Sequence, residues 1–157
     1  RDVERSRGLG DVYKRQKCGK SIPILGICLG MQGIVHSFGG KIIHSKEPMH
    51  GKISFLLHDE KGIYEKIPQN IEIMRYHSLV VDTEALPNCF VINGISQEND
   101  NDNNLLKIKQ ITRKCEIMAI SHKIYPIYGI QYHPESFGSE GGIEILKNFL
   151  FNDKGAK

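Results

Sequence analysis

The stretch PILGICLGMQ, residues 23–32, most constrains how this chain can fold. A short, continuously apolar run, IPILGI, ends just before Cys28, and such runs are typical of a central parallel strand that is covered on both faces. A helix is predicted to begin near Leu29 and to end at Gly39-Gly40. This strand, sharp turn and helix predict an α/β domain.

The rest of the chain alternates between short strand candidates and one further helix. Strands are predicted at residues 41–44, 53–57, 71–76, 79–82, 89–96, 116–122 and 127–133. The first helix is expected to bury Leu29, Ile34, Val35 and Phe38. A last helix is predicted from Glu140 to Phe151, with Ile143, Leu146, Phe149 and Leu150 as its buried face.

Two segments differ from this pattern. Residues 1–16, RDVERSRGLGDVYKRQ, are charged and aperiodic, and we interpret them as a non-native or disordered tail in front of a domain at 17–157. Residues 97–114 begin with eight polar residues rich in Asn and Asp, which predicts a solvated surface excursion between two strands.

Composition excludes several classes of function. The chain has 157 residues and a formal net charge of +3, and its Lys and Arg residues are spread out, which argues against nucleic acid or an anionic membrane as partner. No apolar run approaches the roughly 20 residues that a membrane helix needs, so we expect a cytoplasmic or organelle-matrix protein. The four cysteines form no C-x-x-C pair, which argues against disulfides and a zinc site.

Cys28 is the first candidate for chemistry. It lies in Gly26-Ile27-Cys28-Leu29-Gly30, a thiol version of the nucleophile elbow G-x-S-x-G, in which flanking glycines avoid collisions at a strained turn. The N–H groups at the start of the helix are expected to lower the thiol pKa. A small buried core thiol beside two incidental glycines is an equally weighted alternative for the motif alone.

A nucleophilic thiol needs a base, and YHPES, residues 132–136, offers one. His133 and Glu135 are two residues apart, so in an extended segment they project to the same side and the carboxylate can orient the imidazole. A histidine at the end of a strand more often serves structure. The carboxyl ends of parallel strands would bring it to the same edge as Cys28.

Four motifs in order, PILGICLGMQ, EPMHGK, RYHSLVVD and GIQYHPES, resemble the class I (triad) glutamine amidotransferases over about residues 22–151. They are most similar to the glutaminase subunits of anthranilate synthase and aminodeoxychorismate synthase. The resemblance implies a flavodoxin-like α/β fold with an open, mostly parallel twisted sheet and helices on both faces. It also implies an upstream βα unit and a Gly-Pro-Gly loop, which this sequence lacks, so we interpret the sequence as N-terminally truncated.

The resemblance implies a role for each matching residue. Cys28 would attack the glutamine carboxamide, His133 would transfer the proton to the leaving ammonia, and Glu135 would orient His133. The backbone N–H of Leu29 would form half of an oxyanion hole. Gln32, with the pair Ser78-Leu79, would bind the substrate glutamine.

The resemblance further implies a partner. His50 and Gly51, in the MHGK segment, would lie near the contact with a chorismate-binding synthase, which receives the ammonia and makes anthranilate or aminodeoxychorismate. The glutaminase half would need no cofactor, and any Mg²⁺ dependence would belong to the synthase. The alternatives are the glutaminase domain of another amidotransferase, such as GMP synthetase, carbamoyl phosphate synthetase or CTP synthase, and a catalytically silent synthase-binding fragment.

Overall fold

A computed structural model describes residues 22–97 and 115–151, and within these ranges the chain forms strands and two α-helices. The strands are β1 (Ile24–Ile27), β2 (Ile42–His44), β3 (Lys52–His58), β4 (Ile71–Arg75), β5 (Leu79–Val81), β6 (Phe90–Gln97), β7 (Ile117–His122) and β8 (Ile127–Ile130). The helices are α1 (Leu29–Ser37) and α2 (Gly142–Phe151), and short 3₁₀ turns cover Gly62–Tyr64 and Thr83–Ala85.

The predicted elements are confirmed, with differences at their ends. The largest difference is at residues 127–133, which were predicted as one strand. The strand ends at Ile130, and residues 131–133 are irregular. The predicted tail at 1–16 lies outside the described residues. So does the predicted excursion at 97–114, except for Gln97, which is the last residue of β6. No helix in the described ranges is long and apolar enough to cross a membrane.

Six strands form one sheet in the order β1-β8-β7-β6-β3-β4, while β2 and β5 pair separately. Within the described residues only the β1–β8 pairing is parallel, so the sheet is mixed rather than mostly parallel as expected. The physical reason lies in the connections: β7 and β8 are joined by a short turn, which permits only antiparallel pairing, whereas parallel neighbours need a long crossover.

The two helices pack on opposite faces of this sheet, as predicted. Successive residues of a strand point to opposite faces, and in β8 Ile127 joins the cluster around α1 while Ile130 joins the cluster around α2. On the α1 side, Met31 lies so close to β8 that a Cβ on Gly129 would be 2.7 Å from its Cγ. This close approach places the start of α1 directly beside the carboxyl end of β8.

The predicted buried face of α2 is wrong in part. Ile143 and Leu150 are each 66% exposed, whereas Ile145 is fully buried. The rotation of the helix follows from Gly142, where a Cβ would overlap the carbonyl of Pro134. Because Gly142 must face Pro134, the residues one turn and two turns later, Ile145 and Phe149, lie on the same side of the helix and pack on the core cluster.

A similar correction applies at the start of α1. The Leu29 side chain is 75% exposed, while Ile34 and Val35 are buried as expected. The chain turns sharply at Cys28, and this turn carries the first side chain of the helix away from the sheet. Leu29 therefore contributes its backbone, not its side chain, to the region around Cys28.

Candidate active site

Cys28 lies on the sharp turn that the sequence predicts between β1 and α1. Its backbone angles are φ 51° and ψ −106°, an uncommon conformation for a residue with a side chain. Its N–H donates a hydrogen bond to the carbonyl of Ile130 at 2.7 Å, and its own carbonyl accepts one from the N–H of Gln32 at 3.2 Å. Backbone conformations of this kind cost about 1–3 kcal/mol and are concentrated at functional sites.

The two glycines that flank Cys28 serve different purposes. A Cβ on Gly26 would lie 2.6 Å from the backbone carbon of Gly30 and 2.6 Å from a methyl group of Ile34. A Cβ on Gly30 would meet no described atom within 4 Å. The steric argument for the motif is therefore confirmed at Gly26, which lets α1 pass close to β1, and is wrong for Gly30 among the described residues.

The expected lowering of the Cys28 pKa is also wrong. Partial burial raises the pKa of this thiol, the hydrogen bond from the Leu29 N–H lowers it, and the nearby charge of Glu135 raises it again. Desolvation disfavours the thiolate more than one N–H group at the start of α1 favours it. The Leu29 N–H nevertheless acts on the sulfur, and the role in an oxyanion hole that the family resemblance implies for it stays a prediction.

His133 and Glu135 form a pair at the end of β8. The His133 Nδ1 lies 2.7 Å from the Glu135 Oε1. The His133 N–H donates to the carbonyl of Met74, the hydroxyl of Ser139 donates to the His133 carbonyl, and the ring of Tyr76 packs edge-on against the imidazole. With its proton on Nδ1 facing the carboxylate, the imidazole has Nε2 as its basic nitrogen.

Strand pairing brings Cys28 and the segment of His133 to the same edge of the sheet. In the parallel β1–β8 pair, Ile27 is opposite Ile130. Cys28 and Gln131 each follow these paired residues directly, and His133 comes two residues later. Glu135 is close enough for its charge to act on the thiol.

The residues predicted to bind glutamine also meet. The Gln32 Nε2 donates to the carbonyl of Leu79 at 3.0 Å. Ser78, just before β5, is exposed, and its carbonyl accepts a hydrogen bond from the N–H of Ser45 at 2.9 Å. Gln32 and the Ser78-Leu79 pair therefore lie on adjoining segments beside the turn of Cys28.

The predicted partner-interface residues, His50 and Gly51, lie on an exposed turn. Gly51 has a φ of +71°, and its N–H donates to the carbonyl of Arg75 at 2.9 Å. A Cβ on Gly51 would be 3.3 Å from the ring of Tyr76. This exposed turn thus packs against the ring that contacts His133.

Sequence reasoning missed a buried polar network beside these segments. Arg75 is 3% exposed, pairs with Glu116, and donates to the Ser54 hydroxyl and to the His77 Nε2, the last at 3.1 Å. Burial lowers the pKa of Arg75 to about 10. Burial, together with the charge of Arg75, lowers the pKa of His77 to about 4, so His77 is neutral at pH 7.

Sequence reasoning also missed Gln131. This side chain is fully buried, and its Nε2 lies 3.7 Å from the Cys28 sulfur. A polar residue inside the otherwise apolar run IYGIQY was the available signal, because a buried amide must find hydrogen-bond partners. In the described ranges, no three His, Cys, Asp or Glu side chains are grouped so that they could hold a metal ion.

A cysteine on a strained strand-to-helix turn, at the same sheet edge as a histidine–carboxylate pair, is typical of α/β enzymes with a thiol nucleophile. The family model for glutamine amidotransferase class-I matches residues 10–152. The chain belongs to this family.

Curated relatives agree with the family. The chain is 44% identical over 140 residues to anthranilate synthase component 2 of Leptospira biflexa, which covers 89% of this chain and 63% of that protein. It is 41% identical over 129 residues to aminodeoxychorismate/anthranilate synthase component 2 of Bacillus subtilis, which covers 82% of this chain and 58% of that protein. The chain thus spans less than two thirds of the length of these relatives.

Solved structures support the fold. A candidate GMP synthase subunit from Thermoplasma acidophilum aligns with a TM-score of 0.68 and 27% identity, over 88% of this chain and 63% of that one. A glutamine amidotransferase from Thermotoga maritima aligns with a TM-score of 0.59 and 17% identity, over 91% of this chain and 51% of that one. These likenesses confirm the predicted flavodoxin-like α/β class.

Proposed function

We propose that this chain is the catalytic part of a glutaminase subunit, which hydrolyses L-glutamine at Cys28 and delivers ammonia to a chorismate-aminating synthase. The observation that supports the proposal is that Cys28 follows β1 and the His133–Glu135 pair follows β8, its parallel partner, so that both lie at the same edge of the sheet. Membership of the glutamine amidotransferase family supports the choice of substrate.

In the proposed reaction, Cys28 is the nucleophile and His133 transfers the protons. The Cys28 sulfur forms a bond to the side-chain carbonyl carbon of glutamine after its proton passes to His133. The C–N bond then breaks, and the same proton leaves with the nitrogen as ammonia. Water, deprotonated by His133, hydrolyses the thioester and releases glutamate and the thiol. Glu135 holds the imidazole in the tautomer that this exchange needs.

Other residues would bind the substrate and its developing charge. The Leu29 N–H, which acts on the sulfur, would donate to the oxyanion of the tetrahedral intermediate, where loss of one donor typically costs about 10²–10³ in rate. Gln32, Ser78 and Leu79 would hold the amino-acid end of glutamine, and the contact between Gln32 and Leu79 supports their grouping.

The proposed partner is a synthase that binds chorismate. The names of both curated relatives are those of second components of anthranilate or aminodeoxychorismate synthases, and the proposal covers both products. His50 and Gly51 would contribute to the contact, because they lie on an exposed turn beside the Tyr76 ring.

Covalent labelling of the complete protein with its synthase tests the proposal. A diazoketone analogue of glutamine should attach to Cys28, excess glutamine should prevent the attachment, and Cys28→Ala should abolish it. Cys89→Ala is the matched control, since Cys89 is also half-buried and should leave labelling intact. Labelling that survives Cys28→Ala, or that glutamine does not prevent, would contradict the proposal, and the absence of labelling would indicate a silent synthase-binding protein.

A second candidate is the glutaminase of a GMP synthase, favoured by the structural likeness to the Thermoplasma protein. The identities of 44% and 41% to chorismate-enzyme components favour the first candidate over this one at 27%. Glutamine-dependent amination of chorismate by the complex distinguishes the two, because a GMP synthase glutaminase would not support it.

A further inference from the structure

A chain of three amide contacts leads from the Cys28 sulfur to the proposed glutamine site. The Gln131 Nε2 lies 3.7 Å from the Cys28 Sγ. The Gln131 Oε1 accepts a hydrogen bond from the Gln32 Nε2 at 3.1 Å, and the same nitrogen donates to the carbonyl of Leu79 at 3.0 Å. Gln131 is fully buried and Gln32 is 6% exposed.

The Leu79 carbonyl determines which group is the donor in each of these hydrogen bonds. A backbone carbonyl can only accept, so the Leu79 oxygen requires the NH₂ group of Gln32. Both hydrogens of that group are then used, one on Leu79 and one on the Gln131 oxygen. The Gln131 NH₂ group must therefore face the sulfur, and it is the donor in that contact.

The backbone of Gln131 holds this amide in place. Its N–H donates to the carbonyl of Met118, the second residue of β7, at 2.8 Å. Ile130, the residue before it, accepts the hydrogen bond from the Cys28 N–H. The same strand end thus fixes both the backbone of Cys28 and the side chain that reaches its sulfur.

The chemistry of sulfur makes this donor consequential. A neutral thiol is a weak acceptor, whereas a thiolate forms a charge-assisted hydrogen bond. An amide N–H that faces the sulfur therefore stabilises the thiolate selectively. Burial of Cys28 and the charge of Glu135 both raise the thiol pKa and so disfavour the thiolate. A donor at the sulfur would offset part of this effect.

We propose that Gln131 is a positioning residue that donates a hydrogen bond to the Cys28 sulfur, orients it for attack, and connects it through Gln32 to the segment that would bind glutamine. The inference rests on the proposed function, in which Cys28 is the nucleophile. Gln131 precedes the proposed base, His133, by two residues and is not one of the three proposed catalytic residues, Cys28, His133 and Glu135.

The test follows the ionisation of one thiol. Alkylation of Cys28 by iodoacetamide, measured by mass spectrometry against pH on the complete protein, reports the thiolate. The charged and titratable groups on the segments that adjoin Cys28 are Glu135, His133, Tyr132, His77, Tyr76 and Arg75, while the titratable residue of α1, His36, lies in its last turn. All of these stay unchanged in Gln131→Met, which adds no charge, so a shift in its profile reports the loss of the Gln131 amide.

Gln131→Met removes the donor at similar size and without adding charge. Gln131→Glu also removes the donor and keeps an oxygen that can accept from Gln32, but it adds a negative charge beside the sulfur. We expect both variants to move the alkylation profile of Cys28 to higher pH. Both should lower kcat for glutamine by about tenfold to a hundredfold, the usual range for a hydrogen bond to a charged group. KM should change least in Gln131→Glu, because the contact with Gln32 is retained.

The matched control is Gln97→Glu, which changes another buried glutamine, 8% exposed, whose amide donates to Asn70 instead. It should leave the Cys28 profile and kcat unchanged. Wild-type profiles and kcat in both Gln131 variants, or an equal shift in Gln97→Glu, would overturn the role of Gln131. These results are distinguishable from failure of the proposed function, which would instead appear as glutamine hydrolysis that persists in Cys28→Ala.

Discussion

Cys28 and Cys89 are both half-buried cysteines next to a strand, and burial raises the pKa of each thiol. Their surroundings differ. Cys28 has a positive φ, a helix N–H and a buried amide at its sulfur, and a histidine–carboxylate pair at the same sheet edge. Cys89 lies just before β6, its side chain packs on the apolar cluster around α1, and its carbonyl accepts a hydrogen bond from Lys123.

This comparison shows what distinguishes a candidate nucleophile from a packing thiol. Residue type and burial are shared, so they do not decide the role. The difference comes from a strained turn that aims the side chain along the sheet edge, and from the neighbouring parallel strand, which supplies groups that a single segment cannot provide.

The largest expected effect concerns activity. In the complete protein with its synthase, Cys28→Ser should lower the rate of glutamine hydrolysis by about 10³-fold or more. A serine hydroxyl loses its proton far less readily than a thiol, so it is a much weaker nucleophile here. Cys89→Ser should leave the rate within about twofold, because no step passes through it. The rate of glutamate release measures both, and equal losses in the two variants would remove the distinction between the thiols.

A smaller effect concerns the turn on which Cys28 lies, a feature that Cys89 does not share. Gly26→Ala should lower the free energy of unfolding by about 1–3 kcal/mol, because the new Cβ would meet the backbone of Gly30. Gly30→Ala should not destabilise the protein, since no described atom lies within 4 Å of its Cβ position and alanine favours helix by about 0.5–1 kcal/mol. Urea unfolding of both variants measures the difference, and equal destabilisation would contradict this account of the turn.

The smallest effect is electrostatic. The charge of Glu135 contributes to the raised pKa of Cys28, after burial, so Glu135→Gln should lower that pKa. At neutral pH the thiolate fraction rises, and alkylation of Cys28 by iodoacetamide should become a few-fold faster even as glutamine hydrolysis falls. Cys89, whose pKa is set by burial, its own backbone and Lys123, should be alkylated at an unchanged rate. Slower alkylation of Cys28 would mean that the carboxylate acts on the thiol chiefly through His133.

Periodicity and turn residues were enough to predict the strands and both helices, but not which side of each helix is buried. In α2, the pattern alone could not choose between faces containing Ile143 or Ile145, and the contact between Gly142 and Pro134 decides it. The relative directions of the strands could not be predicted either, because a local sequence pattern does not determine which strands pair. The short connection between β7 and β8 makes them antiparallel where a mostly parallel sheet was expected.

Some features of the candidate site could likewise be predicted from the sequence, whereas others depend on the tertiary structure. The G-x-C-x-G turn and the adjacent His133 and Glu135 are local features, and the sequence alone determined that these residues are candidates and that the domain is α/β. Only the tertiary structure decided that burial outweighs the helix N–H at Cys28 and that Gln131, 103 residues away, reaches its sulfur. Both depend on the register of β1 against β8, since solvent exclusion and side-chain contact are set by segments that are distant along the chain.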